Sequence, residues 1–112
     1  METISTLFVY GNLLDAQLRE KLLGRAVRVA SATLPNYERR RGRYYYVVKL
    51  DGAQTPGQIL EGLSADDFTI LDRYEDAPRL YVREKVDVIS EQGTNVNCWI
   101  YVPSEATLDS FL

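Results

Sequence analysis

The sequence predicts a mixed α+β domain, and three observations carry that prediction. Short runs rich in β-branched and aromatic residues recur along the chain, bounded by glycine, proline and asparagine. Two segments with apolar residues at helical spacing, each preceded by a capping residue, lie among them. The 112 residues suit one compact domain, expected to span 1–112. Five or six strands and two short helices are the expected inventory. Short strands leave open sheet edges; closing them into a small barrel would remove those edges, although periodicity alone does not show closure.

Ile4 to Tyr10 reads as the first strand, because its branched and aromatic side chains suit a pleated surface. Gly11 and Asn12 then favour a tight loop. Asp15 is placed to cap a helix from Ala16 to Leu23, with Leu18, Leu22 and Leu23 on one face and Gly24 to end it. Residues 26–34 alternate as a half-buried strand, which Pro35-Asn36 is expected to break. Tyr44 to Leu50 is a further strand, Asp51-Gly52 a turn, and Gln58 to Leu63 another extended piece after Pro56-Gly57. Ser64 can accept from the Asp67 amide and so open a helix over about 65 to 75, with Phe68, Leu71 and Tyr74 at helical spacing and Asp76-Ala77-Pro78 to stop it. Leu80 to Ile89 and Asn95 to Val102 form a hairpin across residues 91–94, and Ser104 to Leu112 is a candidate helical tail.

Composition removes several chemistries. There is no histidine, so Ser-His-Asp and Cys-His catalysis, imidazole metal ligation and the usual neutral-pH proton shuttle are excluded. Cys98 is the single cysteine, which excludes an internal disulfide and a cysteine-rich zinc site. It lies in a predicted strand beside Trp99, and packing is its expected role. A net charge of -3 does not fit a general nucleic-acid or membrane binder. No apolar run is long enough for a membrane helix, and residues 1–6 lack the basic start of an export signal. With so little cysteine, a cytoplasmic location is expected.

Three places could carry chemistry. The Tyr10-Gly11-Asn12-Leu13 junction can point backbone amides at a carboxylate, a phosphate or a developing oxyanion, although locally an ordinary turn with a glycine is the simpler reading. In Leu71-Asp72-Arg73-Tyr74-Glu75-Asp76, Asp72 and Asp76 are expected on one helical face, while Glu75 leans toward the apolar face of Phe68 and Leu71. A carboxylate so placed would be partly desolvated and a usable base near neutral pH, whereas a solvated residue at a frayed helix end is the simpler local reading. Arg39 to Arg43 with Tyr44 to Tyr46 sets basic residues beside aromatics. A solvated loop entering a tyrosine-rich strand is the simpler reading, and an acidic partner or nucleic acid the other.

These pieces fall in the order of a known family. Leu7-Phe8-Val9-Tyr10-Gly11-Asn12-Leu13-Leu14 resembles the opening Phe-x-Tyr-Gly-Thr/Ser-Leu motif of the γ-glutamylcyclotransferase-like superfamily, which includes the AIG2-like proteins and the γ-glutamylamine cyclotransferases. Leu71 to Glu75 resembles its Leu-Asp-x-Tyr/Phe-Glu segment. Leu80-Tyr81-Val82-Arg83 resembles the following Tyr-x-Arg, and Cys98 to Val102 the closing strand. The resemblance covers nearly the whole chain. It implies a small mixed β-barrel with peripheral helices and a cofactor-free, metal-free reaction that converts a γ-glutamyl amine or amide to 5-oxoproline. It further implies that Glu75 is the catalytic acid/base, that Tyr10, Gly11, Asn12 and Leu13 hold the γ-glutamyl group, and that Tyr81 lines the cavity. Asn12 departs from the usual Thr or Ser: it is polar but bulkier and has no hydroxyl. The expected partner is a small-molecule γ-glutamyl substrate, with no nucleic acid and no membrane. The alternative is a small-molecule-binding module that keeps the fold and cavity without turnover. The sequence names neither the amine nor the oligomeric state.

Overall fold

A computed structural model of the chain describes residues 5–105. Its elements are β1 (Leu7–Val9), a 3-10 turn (Asn12–Leu14), α1 (Ala16–Leu23), β2 (Arg28–Arg41), β3 (Tyr45–Glu61), α2 (Ala65–Tyr74), β4 (Tyr81–Ser90) and β5 (Asn95–Pro103). The five strands close into a barrel in the order β1-β3-β2-β4-β5. All neighbours are antiparallel except β1 and β5, which run parallel, so the barrel is mixed.

Alternation along the strands builds two apolar layers. Phe8 of β1 joins Leu34, Val47, Ile59, Val88, Cys98 and Ile100 in a cluster built around strand residues, which is the barrel interior. Its neighbours Leu7 and Val9 point the other way and pack with Leu23, Phe68 and Leu71 of the helices and with Leu63, which leads into α2. The helices therefore cover one outer face of the barrel. Cys98 is fully buried, and that burial pushes its thiol up to about 12, as packing requires and nucleophilic use does not.

Both helix starts follow the predicted chemistry. Asp15 Oδ1 accepts from the amides of Gln17 and Leu18, and Gly24 ends α1 in the left-handed region at φ 76°. At α2, Ser64 Oγ accepts from the Asp67 amide and Asp67 Oδ2 accepts from the Ser64 amide. Asp67 is buried and also takes a two-pronged contact from Arg25, at 2.8 and 2.6 Å. These donors, Arg25 first, hold its carboxyl down at about 2. An acid whose folded value lies below its unfolded one contributes stability above about pH 4 that is lost as pH falls toward 2. Asp67→Asn should therefore cost about 2 kcal/mol at pH 7 and much less at pH 2.5, read as the difference in urea midpoints; an equal cost at both pH values would refute it.

Several expectations are corrected. The first strand begins at Leu7 and stops before Tyr10; Ile4 lies outside the described residues. Pro35-Asn36 does not break its strand. β2 runs on to Arg41 through a register shift in which Pro35 faces Gln54 and Tyr37 faces Lys49. Asn36 takes φ 64° there, and its Oδ1 accepts from the Gly52 amide at 3.0 Å. The supposed Asp51-Gly52 turn is the other side of the same bulge, so most of Tyr44–Leu50 and most of Gln58–Leu63 belong to one long strand, Tyr45–Glu61. That makes five strands. Arg39 to Arg41 sit in β2 rather than in a loop. Asp76 leaves the helix at φ 55° and shares no helical face with Asp72. The hairpin of β4 and β5 stands as expected. Most of the candidate tail, residues 106–112, lies outside the described residues.

Candidate active site

Two segments far apart in sequence meet at one end of the barrel. β1 delivers the Tyr10–Leu13 loop, and the C-terminal end of α2 delivers Glu75. They line one cavity of about 350 Å³, together with Tyr81 at the start of β4 and Tyr101 of β5. The residues that the family resemblance singles out, Tyr10, Gly11, Asn12, Leu13, Glu75 and Tyr81, all border it, whereas Asp72 and Arg39 to Arg43 do not.

The loop is held from below and behind. Leu14 donates its amide to the Gly11 carbonyl at 3.0 Å and Asp15 to the Asn12 carbonyl at 3.1 Å. The amides of Asn12 and Leu13 open this turn and have no acceptor within it. Gly11 passes close to Tyr45, so that a Cβ there would lie 3.0 Å from the Tyr45 Cβ. Arg19 reaches back from α1, and its Nη1 donates to the carbonyls of Leu13 at 2.9 Å and Leu14 at 3.0 Å. It is buried with carbonyl rather than carboxylate partners. The sequence did carry a signal for it: Arg19 stands four before Leu23, hence on the apolar helix face. Arg39 holds the other side through Nη1 to the Tyr10 carbonyl at 3.0 Å.

Glu75 caps α2 and donates its amide to the Leu71 carbonyl at 2.9 Å. Burial among the cavity walls raises its carboxyl to about 7, with no cation or hydrogen-bond donor opposing the shift. Around it stand three tyrosines whose single hydroxyl protons are already committed. Tyr10 donates to the Tyr101 carbonyl at 2.6 Å, Tyr81 to the Tyr45 carbonyl at 2.7 Å, and Tyr101 to Asp72 Oδ1 at 2.6 Å. A hydroxyl that has given its proton can offer a ligand only lone pairs. Burial first, and the nearby Glu75 charge among the lesser causes, push all three hydroxyls well above the usual phenol range. The inner cavity thus presents acceptors, and the loop amides at its edge are donors.

The rest of each motif supports these groups. Asp72 accepts Arg83 Nε at 2.8 Å and Nη2 at 3.1 Å as well as the Tyr101 hydroxyl. The Arg83 guanidinium lies between the rings of Phe68 and Trp99, 4.7 and 4.8 Å from their centroids. Asp76 pairs instead with Arg79. Tyr101, Tyr74, Tyr44, Tyr45 and Arg79 also line the cavity and were not read from the sequence in that role. No local pattern marks them, since they come from separate elements.

The sequence model of the family described as gamma-glutamyl cyclotransferase, AIG2-like, matches residues 7–110. The chain belongs to the AIG2-like gamma-glutamyl cyclotransferase family. Among its relatives, AIG2-like protein D of Arabidopsis thaliana is 36% identical over 90 residues, 78% of this chain and 58% of that protein. A protein of Methanocaldococcus jannaschii named as a gamma-glutamylcyclotransferase and putative RNase is 30% identical over 98 residues, 85% of this chain and 44% of that one. The chain thus spans about half the length of these curated family members. A solution structure from Arabidopsis thaliana superposes with a TM-score of 0.84 at 26% identity, covering 99% of this chain and 76% of the other. A structure titled gamma-glutamyl cyclotransferase gives 0.82 at 16% identity, covering 91% and 68%, and this likeness speaks for the family fold alone.

Proposed function

We propose that the protein is a cofactor-free cyclotransferase that converts a γ-glutamyl amine or amide to 5-oxoproline and the free amine. The observation that carries this reading is the position of Glu75: a carboxyl with a value near 7, in the same cavity as the Gly11–Leu13 loop. The substrate supplies its own nucleophile, so no enzyme nucleophile is required.

In this reaction the α-nitrogen attacks the γ-carbonyl carbon, the ring C–N bond forms, and the bond to the leaving nitrogen breaks. The α-ammonium gives up two protons in becoming a lactam N–H, and the leaving nitrogen gains two in becoming an ammonium. A single carboxyl that exchanges protons near pH 7 can take them from one nitrogen and return them to the other. The acceptor-lined inner cavity suits the ammonium. The loop amides suit either the substrate α-carboxylate or the charge that develops on the γ-carbonyl oxygen. Holding the glutamyl chain curled contributes the orientational part of the rate.

The test is incubation with γ-glutamyl compounds and measurement of 5-oxoproline and amine in equal amounts. The unliganded Glu75 must be ionised to accept a proton, so kcat/KM should rise as pH passes through about 7 and then level. Activity that stays flat from pH 5 to 9 would contradict the assignment of Glu75. The alternative, a binding module without turnover, draws on Asn12, which brings no hydroxyl to the cavity rim. It predicts γ-glutamyl compounds that raise Tm but are never converted.

A further inference from the structure

Arg19 is a buried charge that the proton transfers do not use. It is 6% exposed on α1, and among the described residues it has no carboxylate partner. Its Nη1 donates to the carbonyls of Leu13 at 2.9 Å and Leu14 at 3.0 Å, with a longer contact of 3.5 Å to Gln58 Oε1. Taking a cation out of water without a counter-ion is unfavourable. A neutral donor would satisfy two neutral carbonyls, so the buried charge calls for a further reason.

The peptide units beyond those carbonyls supply one. The Leu13 carbonyl shares its peptide with the Leu14 amide, which donates to the Gly11 carbonyl at 3.0 Å. That carbonyl in turn shares its peptide with the Asn12 amide. The Leu14 carbonyl shares its peptide with the Asp15 amide, which donates to the Asn12 carbonyl at 3.1 Å. That carbonyl shares its peptide with the Leu13 amide. Two parallel hydrogen-bond chains thus start on one guanidinium nitrogen and end on the two adjacent amides that open the turn, at the border of the cavity. Each bond in such a chain polarises the next, so a cation behind the turn makes the amides in front of it stronger donors. Among the described residues the arginine that borders the cavity directly, Arg79, is already paired with Asp76.

We infer that Arg19 is a positioning residue for the cyclisation: from behind the Gly11–Leu13 loop it fixes the Asn12 and Leu13 amides and strengthens them as donors to the negative charge of the substrate. That charge is the α-carboxylate or the developing oxyanion, and the inference holds for either. It rests on the cyclisation reading for there being such a charge at the loop. Arg19 touches neither substrate nor reacting atoms. Its place behind the loop has a chemical benefit: a cation inside the cavity would pair with Glu75 and pull its carboxyl back down, whereas one acting across two peptide units leaves it raised.

The experiment compares Arg19→Gln with Arg19→Lys, which both keep a donor for the carbonyls while only lysine keeps the cation; Arg19→Met replaces the glutamine variant if the latter does not fold. Arg19→Gln should lower kcat/KM by about tenfold for the γ-glutamyl compound that wild type converts fastest, less than the loss of a direct oxyanion donor gives, and Arg19→Lys should recover much of it. The loss falls on KM if the amides hold the α-carboxylate and on kcat if they face the γ-carbonyl oxygen. NMR adds a signature that a merely structural role would not move. In Arg19→Gln the Asn12 and Leu13 amide protons should shift upfield while the strand resonances stay in place. Sodium acetate titrated into wild type should move the same two resonances downfield, with a weaker Kd in Arg19→Gln. Wild-type turnover that Arg19→Gln matches, a lysine variant no better than the glutamine one, or lost activity with both resonances unmoved overturns the inference and leaves the cyclisation reading in place. No turnover of any γ-glutamyl compound by wild type, with acetate binding that Arg19→Gln weakens, supports the role of Arg19 on these amides and overturns the cyclisation reading. In a wild type without turnover, acetate that moves neither resonance, or moves them as readily in Arg19→Gln, overturns both.

Discussion

Glu75→Gln is expected to lower 5-oxoproline formation by about a hundred- to ten-thousand-fold while leaving the barrel intact and, above pH 7, more stable than wild type. The two effects share one cause. The carboxyl sits among cavity walls that favour its neutral form and raise it from 4.5 to about 7. The folded protein therefore binds this proton more tightly than the unfolded chain does. The native state has no disadvantage below about pH 4.5, loses stability as pH rises toward 7, and loses no more beyond that. At about 1.4 kcal/mol per unit, the loss at pH 8 is at most about 3 kcal/mol. Glutamine resembles the neutral acid in shape and carries no charge, so the variant escapes this loss. Its advantage in thermal midpoint should be near zero at pH 4.5, grow to several degrees by pH 8, and coincide with lost turnover. Retained product formation would remove Glu75 from the mechanism. A variant less stable at pH 8 than at pH 4.5, relative to wild type, would contradict the buried-acid account.

Gly57→Ala is expected to give the largest loss of stability of any conservative change in the barrel, about 3 kcal/mol. β3 crosses β1 so closely here that an added Cβ would lie 2.3 Å from the Val9 carbonyl oxygen and 2.6 Å from Phe8 Cζ. The first obstacle is backbone, and β1 cannot retreat because it is paired with β3 on one side and β5 on the other. Phe8 is equally confined, since it is 1% exposed in the barrel interior. Against a total stability of roughly 5–15 kcal/mol, such a loss is large. It should appear as a lowered urea midpoint. Because β1 leads directly into Tyr10 and Gly11, ligand binding should weaken as well. Gly62→Ala is the comparison: φ is 73° with nothing within 4 Å of the added carbon, so only about 1 kcal/mol of backbone strain is expected. Equal costs at the two positions would refute the close approach of β3 to β1.

Much of the local structure was legible because its causes are local. Asp15 and Ser64 accept from amides within a few residues of themselves, Gly24 donates its own amide to the Glu20 carbonyl, and the helices begin and end where these residues say. The β4–β5 hairpin follows for the same reason. Pro35 and Asp51-Gly52 misled because each is an ordinary breaker when read alone. Only when β2 and β3 pair do the irregular residues fall opposite one another, with Asn36 bonding to Gly52 to form a bulge in place of two ends. Glu75 could be singled out by its spacing from Leu71 and Phe68. Arg83 and Tyr101 could not be linked to Asp72, since that network joins α2 to two strands more than ten residues away.

By itself the sequence determined the mixed composition of strands and helices, the helix starts, the absence of histidine chemistry and the family to which the motifs belong. Each of these depends on residue identity or on spacings shorter than one turn or one hairpin. Tertiary structure alone decided that five strands close on themselves and that Glu75 and the Gly11 loop border one hollow. It alone committed three hydroxyl protons away from that hollow. Those outcomes depend on which distant surfaces meet when apolar faces are buried, and on the orientation each donor and acceptor must then adopt.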